Sequence, residues 1–292
     1  MKLSIISLNY KKPELTVSSM ESLWKQYKDE FENDDFEYIV VDNSSKDSSF
    51  EKLQNEVKKY KNFHVFENET NTGFGGGNNL GVTKAKGEYL LFLNNDTEAE
   101  DKGILRMLEY IQEHNDIGIL GGKMLNGNGT EQPSSGKFYT LTSVTLFLLG
   151  LQRYGVIDQN PKEIQEVDWV KGALLMIPKK LFEEVGKFDE HIFMYTEDME
   201  LCYRVKLHKL KCVFFPDIKI LHKDQGSTNR TFAIVHIFKY LPYFYKKHKT
   251  KIEYLYVKML LLTKAILLIV AGYILRKKYF VDTYSEALKA IE

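Results

Sequence analysis

No charge of one sign dominates this chain. Its 292 residues carry 40 lysine plus arginine against 40 aspartate plus glutamate, a formal net charge of zero. No global field draws a polyanion toward it, so the sequence predicts no nucleic-acid partner. Cysteine is scarce. Cys202 and Cys212 cannot make a disulfide framework, and they read as buried apolar side chains in a reducing, cytoplasmic setting. The apolar run in MKLSIISLNYKKPE is shorter than the roughly 7–15 residues of a signal-peptide core, so it reads as a first strand. No internal repeat or low-complexity tract is present. An unbroken apolar run of the ~20 residues needed to span a bilayer is also missing. The longest run, AILLIVAGYIL, begins only after Lys258 and Lys264.

What is there fits a folded chain, with 43% hydrophobic and 27% charged residues and enough length for a sizeable core. KLSIISL (2–8), FEYIVVD (36–42), FHVFEN (63–68), EYLLFLN (88–94) and IGILGG (117–122) read as strands, and the first three are rich in branched or aromatic residues. Helical stretches are expected between them at 13–28, 48–61, 77–86 and 101–114, the first opening on Pro13. Apolar strands alternating with helices predict an α/β fold, a mostly parallel sheet with helices on both faces. NGNGTEQPSSGK (126–137) is a loop by composition, and the thirty residues after it resist assignment. VDWVKGALLMIP (167–178) reads as extended, KKLFEEVGKFDE as a short helix stopped by Gly186, and TEDMELCYRVKLHK (196–209) as a helix turning Leu201, Cys202 and Val205 inward. KCVFFP and IKILH read as two short strands.

Polar residues gather where these strands stop. LLFLNNDTEAED (90–101) runs from an apolar strand into Asn94, Asn95 and Asp96, while the first two strands end in SLNY and VVDNSS. Ligands of open parallel sheets bind at the carboxyl ends of strands. Any one cluster equally suits turn formers after a strand, but three together weaken that reading. NTGFGGGNNLG (71–81) fails the dinucleotide spacing, because position 78 is Asn and the motif precedes the fourth strand. What remains is a glycine-rich approach to a helix N-terminus, where backbone N–H groups meet phosphate or sugar hydroxyls. Glu197 and Asp198 open a helix, where acidic residues are favoured by the dipole in any case. Glu200 and Arg204, spaced i,i+4, read as an ordinary surface pair. His222 closes a strand, as a core histidine or as a metal ligand.

Taken in order, SIISLNYKKPELTVSSMESL, YIVVDNSSKDSS, NTGFGGGNNLGVTKAKGEYLLFLNNDTE and the stretch from VDWVKGALLMIP to KILHKDQGST resemble glycosyltransferase family 2. The likeness spans about residues 3–228 and is nearest the rhamnosyltransferase-like branch of bacterial cell-surface polysaccharide enzymes. It implies the Rossmann-like GT-A fold over residues 1–230, followed by a C-terminal helical extension over 231–292. It also implies an inverting transferase that takes a sugar, rhamnose among the candidates, from a dTDP- or UDP-linked donor. The acceptor would be a hydroxyl of a glycan or lipid-linked glycan. Asn94-Asn95-Asp96 stands where the family carries an Asp-x-Asp signature, which leaves Asp96 as the outer carboxylate. The resemblance makes Asp96 and His222 the ligands of Mn2+ or Mg2+ and Asp198 the general base. It places Leu8, Asn9, Tyr10 and Asp42 at the donor base, with Asp42 accepting the ring N3–H. Gly73, Phe74, Gly75, Asn78, Asn79, Asn94 and Asn95 fall along the rest of the donor. Trp169 stacks on the acceptor sugar, Glu197 sits on the acceptor side, and Arg204 is a candidate phosphate contact that its Glu200 partner competes for.

The tail stays open in the sequence. It is aromatic and basic, then apolar, and reads as a helix hairpin packed on the domain or on a second copy in a homodimer. The alternatives are an interfacial helix whose KKHKTK and RKK ends meet anionic headgroups of the inner membrane and, last, a span. A peripheral position on the cytoplasmic face follows from the interfacial helix. A processive synthase would want several spans and a Gln-x-x-Arg-Trp signature, and a nucleotidyltransferase a glycine-rich basic N-terminus. The chain has neither. The rival of another class is a non-catalytic, transferase-like module that binds a nucleotide or a partner.

Overall fold

The structure, a computed structural model, describes residues 1–138, 140–148, 158–223 and 229–291. The DQGST end of the matching stretch lies outside the described residues. The chain forms two compact units. One comprises Met1–Gly136, Gln159–Phe193 and Glu197–Ser227, and the other Lys137–Asp158, Met194–Thr196 and Thr228–Glu292.

The first unit opens with the expected alternation: β1 (Leu3–Asn9), α1 (Pro13–Glu32), β2 (Phe36–Asp42), α2 (Ser49–Val57), β3 (Phe63–Glu67), α3 (Gly73–Lys84) and β4 (Tyr89–Leu93). β1 pairs in parallel with β2 and β4, and β2 with β3. Every residue of β2 is buried, so the sheet is covered on both faces there. Tyr27 and Phe31 of α1 close over Phe36 and Phe63 in edge and tilted ring contacts 4.7–6.0 Å apart, an arrangement that ring quadrupoles favour.

The chain continues through β5 (Thr97–Glu98), α4 (Gly103–Glu113), β6 (Ile117–Leu125), β7 (Glu131–Gln132) and β8 (Ser135–Gly136). After α5 (Leu141–Leu148), in the other unit, come β9 (Asp158–Gln159), β10 (Gln165–Val167), β11 (Trp169–Val170), β12 (Leu174–Pro178), α6 (Lys179–Glu184), α7 (Glu197–Leu207) and β13 (Lys211–His222). The main sheet runs β10-β13-β6-β12-β4-β1-β2-β3. β12 lies antiparallel between β4 and β6, and β13 pairs in parallel with β6, so the sheet is mixed but mostly parallel.

Three sequence expectations are corrected. KCVFFP and IKILH are one strand, β13, whose register shifts between Phe215 and Lys219, beside Pro216, which has no N–H for the ladder. The glycine-rich stretch does not merely lead up to a helix. It is the first two turns of α3, which reaches the sheet because Gly77 and Gly81 lie against Leu8 and Ile6, where an added Cβ would fall 3.0 and 2.6 Å from their methyl groups. The 126–137 loop contains the short strands β7 and β8. Cys202 and Cys212 are free and buried, as expected.

The second unit ends in three helices rather than a hairpin: α8 (Arg230–His248), α9 (Lys251–Ile274) and α10 (Lys278–Ala290). Thr250 and Glu253 cap α9 reciprocally, each side chain bonded to the other's backbone N–H. α9 is one helix long and apolar enough, by length and composition, to cross a membrane.

Candidate active site

β1 and β2 end in register, Asn9 beside Asp42. The Asn9 Nδ2 donates to Asp42 Oδ2 at 2.7 Å, and the Asn9 Oδ1 accepts the Thr16 hydroxyl proton at 2.9 Å. The Thr16 oxygen in turn accepts from Asn95 Nδ2 at 2.9 Å. One hydrogen-bonded chain therefore joins the three polar strand ends that the sequence leaves as separate turns. Asp42 also accepts the Ser45 N–H at 2.9 Å and the Ser45 hydroxyl at 2.7 Å. A carboxylate offers about four lone-pair sites, so about one remains on Asp42 for a ligand.

After β4 the backbone turns through Asn94 to Asp96 and returns as β5, which pairs antiparallel with the end of β13. That pairing brings His222 to Asp96, with Nε2 3.2 Å from Oδ1, the carboxylate buried and the imidazole mostly so. The Asn94 Nδ2 lies 3.3 Å from the same Nε2. On the other side of the ring, His222 Nδ1 lies 2.7 Å from Gln132 Oε1. The Gln132 amide is pinned, because its Nε2 donates to the Asn126 Oδ1 and to the His222 carbonyl, both at 2.8 Å. The network therefore assigns the His222 proton to Nδ1 and leaves the Nε2 lone pair facing the Asp96 carboxylate. Gln132 carries no sequence signal. It lies in a stretch read as loop and reaches the site only through the pairing of β7 with β6.

Two lone-pair donors facing each other suit a shared cation. Their 3.2 Å separation is close to that of neighbouring donors on an octahedral ion with bonds of ~2.1 Å. Carboxylate plus imidazole is a donor set for Mn2+ or Mg2+, with imidazole favouring Mn2+. Among the described residues no group of three or more His, Cys, Asp or Glu side chains converges, so Asp96 and His222 stand as a pair.

Asp198 stands in the first turn of α7. Its Oδ2 accepts the Gly172 N–H at 3.1 Å, and its Oδ1 accepts the Met199 N–H at 2.7 Å. The next residue after Gly172, Ala173, accepts the Asn94 N–H on its carbonyl at 3.2 Å. The segment 172–173 thus holds the Asp198 carboxylate on one residue and the start of the Asn94-Asn95-Asp96 turn on the next. A Cβ at Gly172 would lie 3.0 Å from the Phe74 ring and 3.5 Å from the Asp198 Cβ, so glycine sets this approach. Burial lifts the Asp198 carboxyl above the usual aspartate range, against two backbone N–H bonds that hold it down. Burial and the neighbouring Asp198 charge lift Glu197 well above the usual glutamate range, and its Oε2 is buried without a hydrogen-bond partner. Both carboxyls are thus lifted, Glu197 further than Asp198.

Gly73 and Phe74 open α3 against residue 193. Gly73 adopts φ +74°, its Cβ position would fall 2.0 Å from the Phe193 carbonyl oxygen, and the Phe74 N–H donates to that oxygen at 2.8 Å. The Phe74 ring meets Phe188 edge-on, and Gly75 packs on the same Phe188. Asn78 bonds the Phe74 carbonyl. The Asn79 amide is committed to the loop after α6, donating to Phe188 O and Glu190 Oε1 and accepting the Phe188 N–H. Asn79 and Gly75 thus position α3 against that loop. Leu8 packs under α3, and Tyr10 is half-buried with the Lys11 ammonium 5.3 Å from its ring centre.

Two expectations differ from the geometry. Trp169 is 6% exposed in β11, part of the wall rather than an open stacking face. Arg204 and Glu200 are not a surface pair. Glu200 is fully buried, bonds Arg204 at 2.7–3.0 Å, and the same guanidinium donates to the carbonyls of Val185 and Lys187. The guanidinium is thus shared between Glu200 of its own helix and the end of α6, a structural arrangement rather than an open phosphate contact.

Comparison with known proteins agrees with this fold. The family model Glycosyl transferase family 2 matches residues 4–183. The chain is 28% identical over 241 residues to the low-salt glycan biosynthesis hexosyltransferase Agl10 of Haloferax volcanii, covering 78% of this chain and 69% of that protein. It is 26% identical over 212 residues to an N-acetylglucosaminyl-diphospho-decaprenol L-rhamnosyltransferase of Mycobacterium tuberculosis, covering 66% and 68%. Among solved structures it superposes on the mannosyltransferase PcManGT of Pyrobaculum calidifontis, in complex with GDP-Man and Mn2+. There the TM-score is 0.61 at 12% identity, over 99% of this chain and 85% of that one.

Proposed function

This chain belongs to glycosyl transferase family 2 and has a GT-A-like fold, and from that premise we propose that it moves a sugar from a nucleoside diphosphate to a glycan hydroxyl, with inversion. The observation that carries the reading is the link through residues 172–173. It ties a half-buried carboxylate of raised pKa to the turn that bears the Asp96–His222 pair.

Asp198 is the general base. It takes the proton of the acceptor hydroxyl as that oxygen attacks the anomeric carbon, and the bond from that carbon to the diphosphate oxygen breaks on the opposite face. A raised pKa matches a base to this task near neutral pH. Glu197, held neutral, keeps a proton to donate to an acceptor oxygen. A divalent ion held by Asp96 and His222 would offset charge on the departing diphosphate. Asp42, steadied by Asn9 and Ser45, uses its remaining lone pair on the N3–H of a uracil or thymine ring. Gly73 and Phe74 bring backbone close to the sugar-diphosphate.

The mycobacterial relative is named for a diphospho-decaprenol acceptor and for rhamnose. A lipid-linked glycan acceptor and a rhamnosyl or other hexosyl donor follow as the substrate classes here. The test is release of nucleoside diphosphate from a panel of UDP- and dTDP-sugars, with and without a prenyl-diphosphate-linked N-acetylglucosamine acceptor. Acceptor-dependent release giving a product of inverted anomeric configuration supports the reading. Nucleotide binding without release from any donor favours a non-catalytic module, a reading to which Asn94 in place of a carboxylate lends weight.

A further inference from the structure

The second unit carries a feature the transfer reaction does not use. On a helix of ~100° per residue, the exposed side chains Ile252, Leu255, Met259, Ile266, Leu267 and Val270 of α9 fall within one stripe about 120° wide. Tyr273 and Ile274 lie on the same stripe, as does Tyr256, whose hydroxyl lies 3.0 Å from that of Thr145 where α5 packs on α9, and Thr263 is its one aliphatic polar member. The opposite side, Val257, Leu261, Ala265 and Gly272, is buried. There α9 packs on α8 and α10, with Gly272 tight against Phe280 and Val281. The stripe runs the ~36 Å length of the helix.

Lys258 and Lys264, which interrupt the apolar run in the sequence, do not interrupt the stripe. They lie about 120° to either side of its centre, roughly 60° beyond its edges and next to the buried side. Lysines so placed snorkel, stems along the apolar face and ammonium groups beside it. Both ends of α9 are basic, with Lys246, Lys247, Lys249 and Lys251 before it and Arg276, Lys277 and Lys278 after it. The neutral chain is in fact polarised. Residues 229–292 carry 12 lysine and arginine against 4 aspartate and glutamate, which leaves 28 against 36 in residues 1–228.

We propose that the α9 stripe is a docking surface for an anionic lipid bilayer, on which the helix lies in the plane of the interface. Apolar side chains enter the acyl boundary while flanking lysines and the two basic ends meet headgroups. The helix lies flat rather than spanning, because its buried side is fastened to α8 and α10. Those two helices carry Lys239, Asp282, Glu286 and Lys289, and hydrocarbon does not accept such side chains. Tyrosines at 256, 273 and 279 suit the headgroup level. A second copy of the chain fits less well, since it would bring two strongly basic surfaces together. The proposal goes beyond the transfer reaction and stands without it.

Flotation of the full chain with vesicles of phosphatidylcholine containing 30% phosphatidylglycerol tests it. The expected result is co-flotation at low salt that falls at least tenfold between 50 and 500 mM NaCl and is weak on pure phosphatidylcholine. Met259→Glu with Leu267→Glu should lower binding at least tenfold while nucleotide binding is unchanged, which separates this proposal from the transferase reading. A Lys277→Glu, Lys278→Glu variant, which leaves the apolar stripe whole, should lower it severalfold. Three results overturn the proposal. One is no flotation at low salt, another is binding indifferent to the Glu substitutions in the stripe, and the third is a dimer that M259E breaks in a chain with no vesicle affinity. Membrane-bound chain from cells that resists alkaline carbonate extraction would replace the flat helix with a span.

Discussion

The Nε2 of His222 and the Oδ1 of Asp96 face each other across 3.2 Å. They come from opposite parts of the chain, joined because β5 pairs with the last residues of β13. Gln132 accepts from the Nδ1 side of the ring, which turns the other nitrogen of His222 toward Asp96.

Gln132→Met should therefore weaken Mn2+ binding by about 10–100-fold, the usual cost of losing a partner that orients a metal-bound histidine. Calorimetric titration with Mn2+ and nucleotide reads the affinity, and nitrogen chemical shifts of His222 read the tautomer. Unchanged affinity with an unchanged tautomer would mean Gln132 does not set the ring.

Gly172→Ala should lower turnover more than it weakens donor binding. The new methyl meets the Phe74 ring at 3.0 Å, and the segment that holds Asp198 must shift. A displacement on the order of 1 Å near a reacting centre costs about 100-fold in rate. The check is kcat against the donor KM, with Phe74→Leu added to make room. Partial rescue by the second change supports the steric account.

The acidic pair gives two pH signatures of opposite sign. Asp198 works ionised and its carboxyl is lifted by burial, so kcat/KM should fall on the acid side at a pH above the ~3.9 of a free aspartate. Glu197 is lifted well above its ordinary 4.5. A raised carboxyl stabilises the fold below its unfolded pKa, and that stability is lost as pH rises toward the folded value. Glu197→Gln should accordingly gain in melting temperature over the wild type as pH climbs from about 5 to 8. A difference that stays constant over that range would show that Glu197 does not titrate there.

Arg204→Met leaves the Glu200 carboxylate fully buried without its cation, which costs about 3–5 kcal/mol. Denaturant unfolding should show the loss, and Glu200→Leu in the same chain should recover much of it. An unaltered midpoint in the single variant would contradict a buried structural pair.

How much of this was legible in the sequence depended on range. The strands before residue 122 and the residues at their ends could be read because period, branching and turn chemistry are local. Asp96, Asp198 and His222 could be named only through resemblance, since nothing local says that a strand end at 222 returns to a turn at 96. Gln132 escaped because a short β7 and its pairing with β6 leave no periodic trace. Trp169 and Arg204 were misplaced because burial is not written in a residue's type. An i,i+4 charge pair looks alike on a surface and under a loop. The helical glycines of α3 misled in the other direction. They suppress helix propensity, and only contact with Leu8 and Ile6 explains them.

The most direct test of the account is calorimetric titration of UDP, dTDP and their sugars into the full chain, with and without Mn2+, repeated on Asp96→Ala. The account predicts binding that favours one base, requires the metal, and weakens at least tenfold in the variant, while Asp198→Asn binds normally and loses about 100- to 10,000-fold in turnover. Nucleotide binding that ignores both Mn2+ and Asp96→Ala, or no binding in any metal condition, would contradict it.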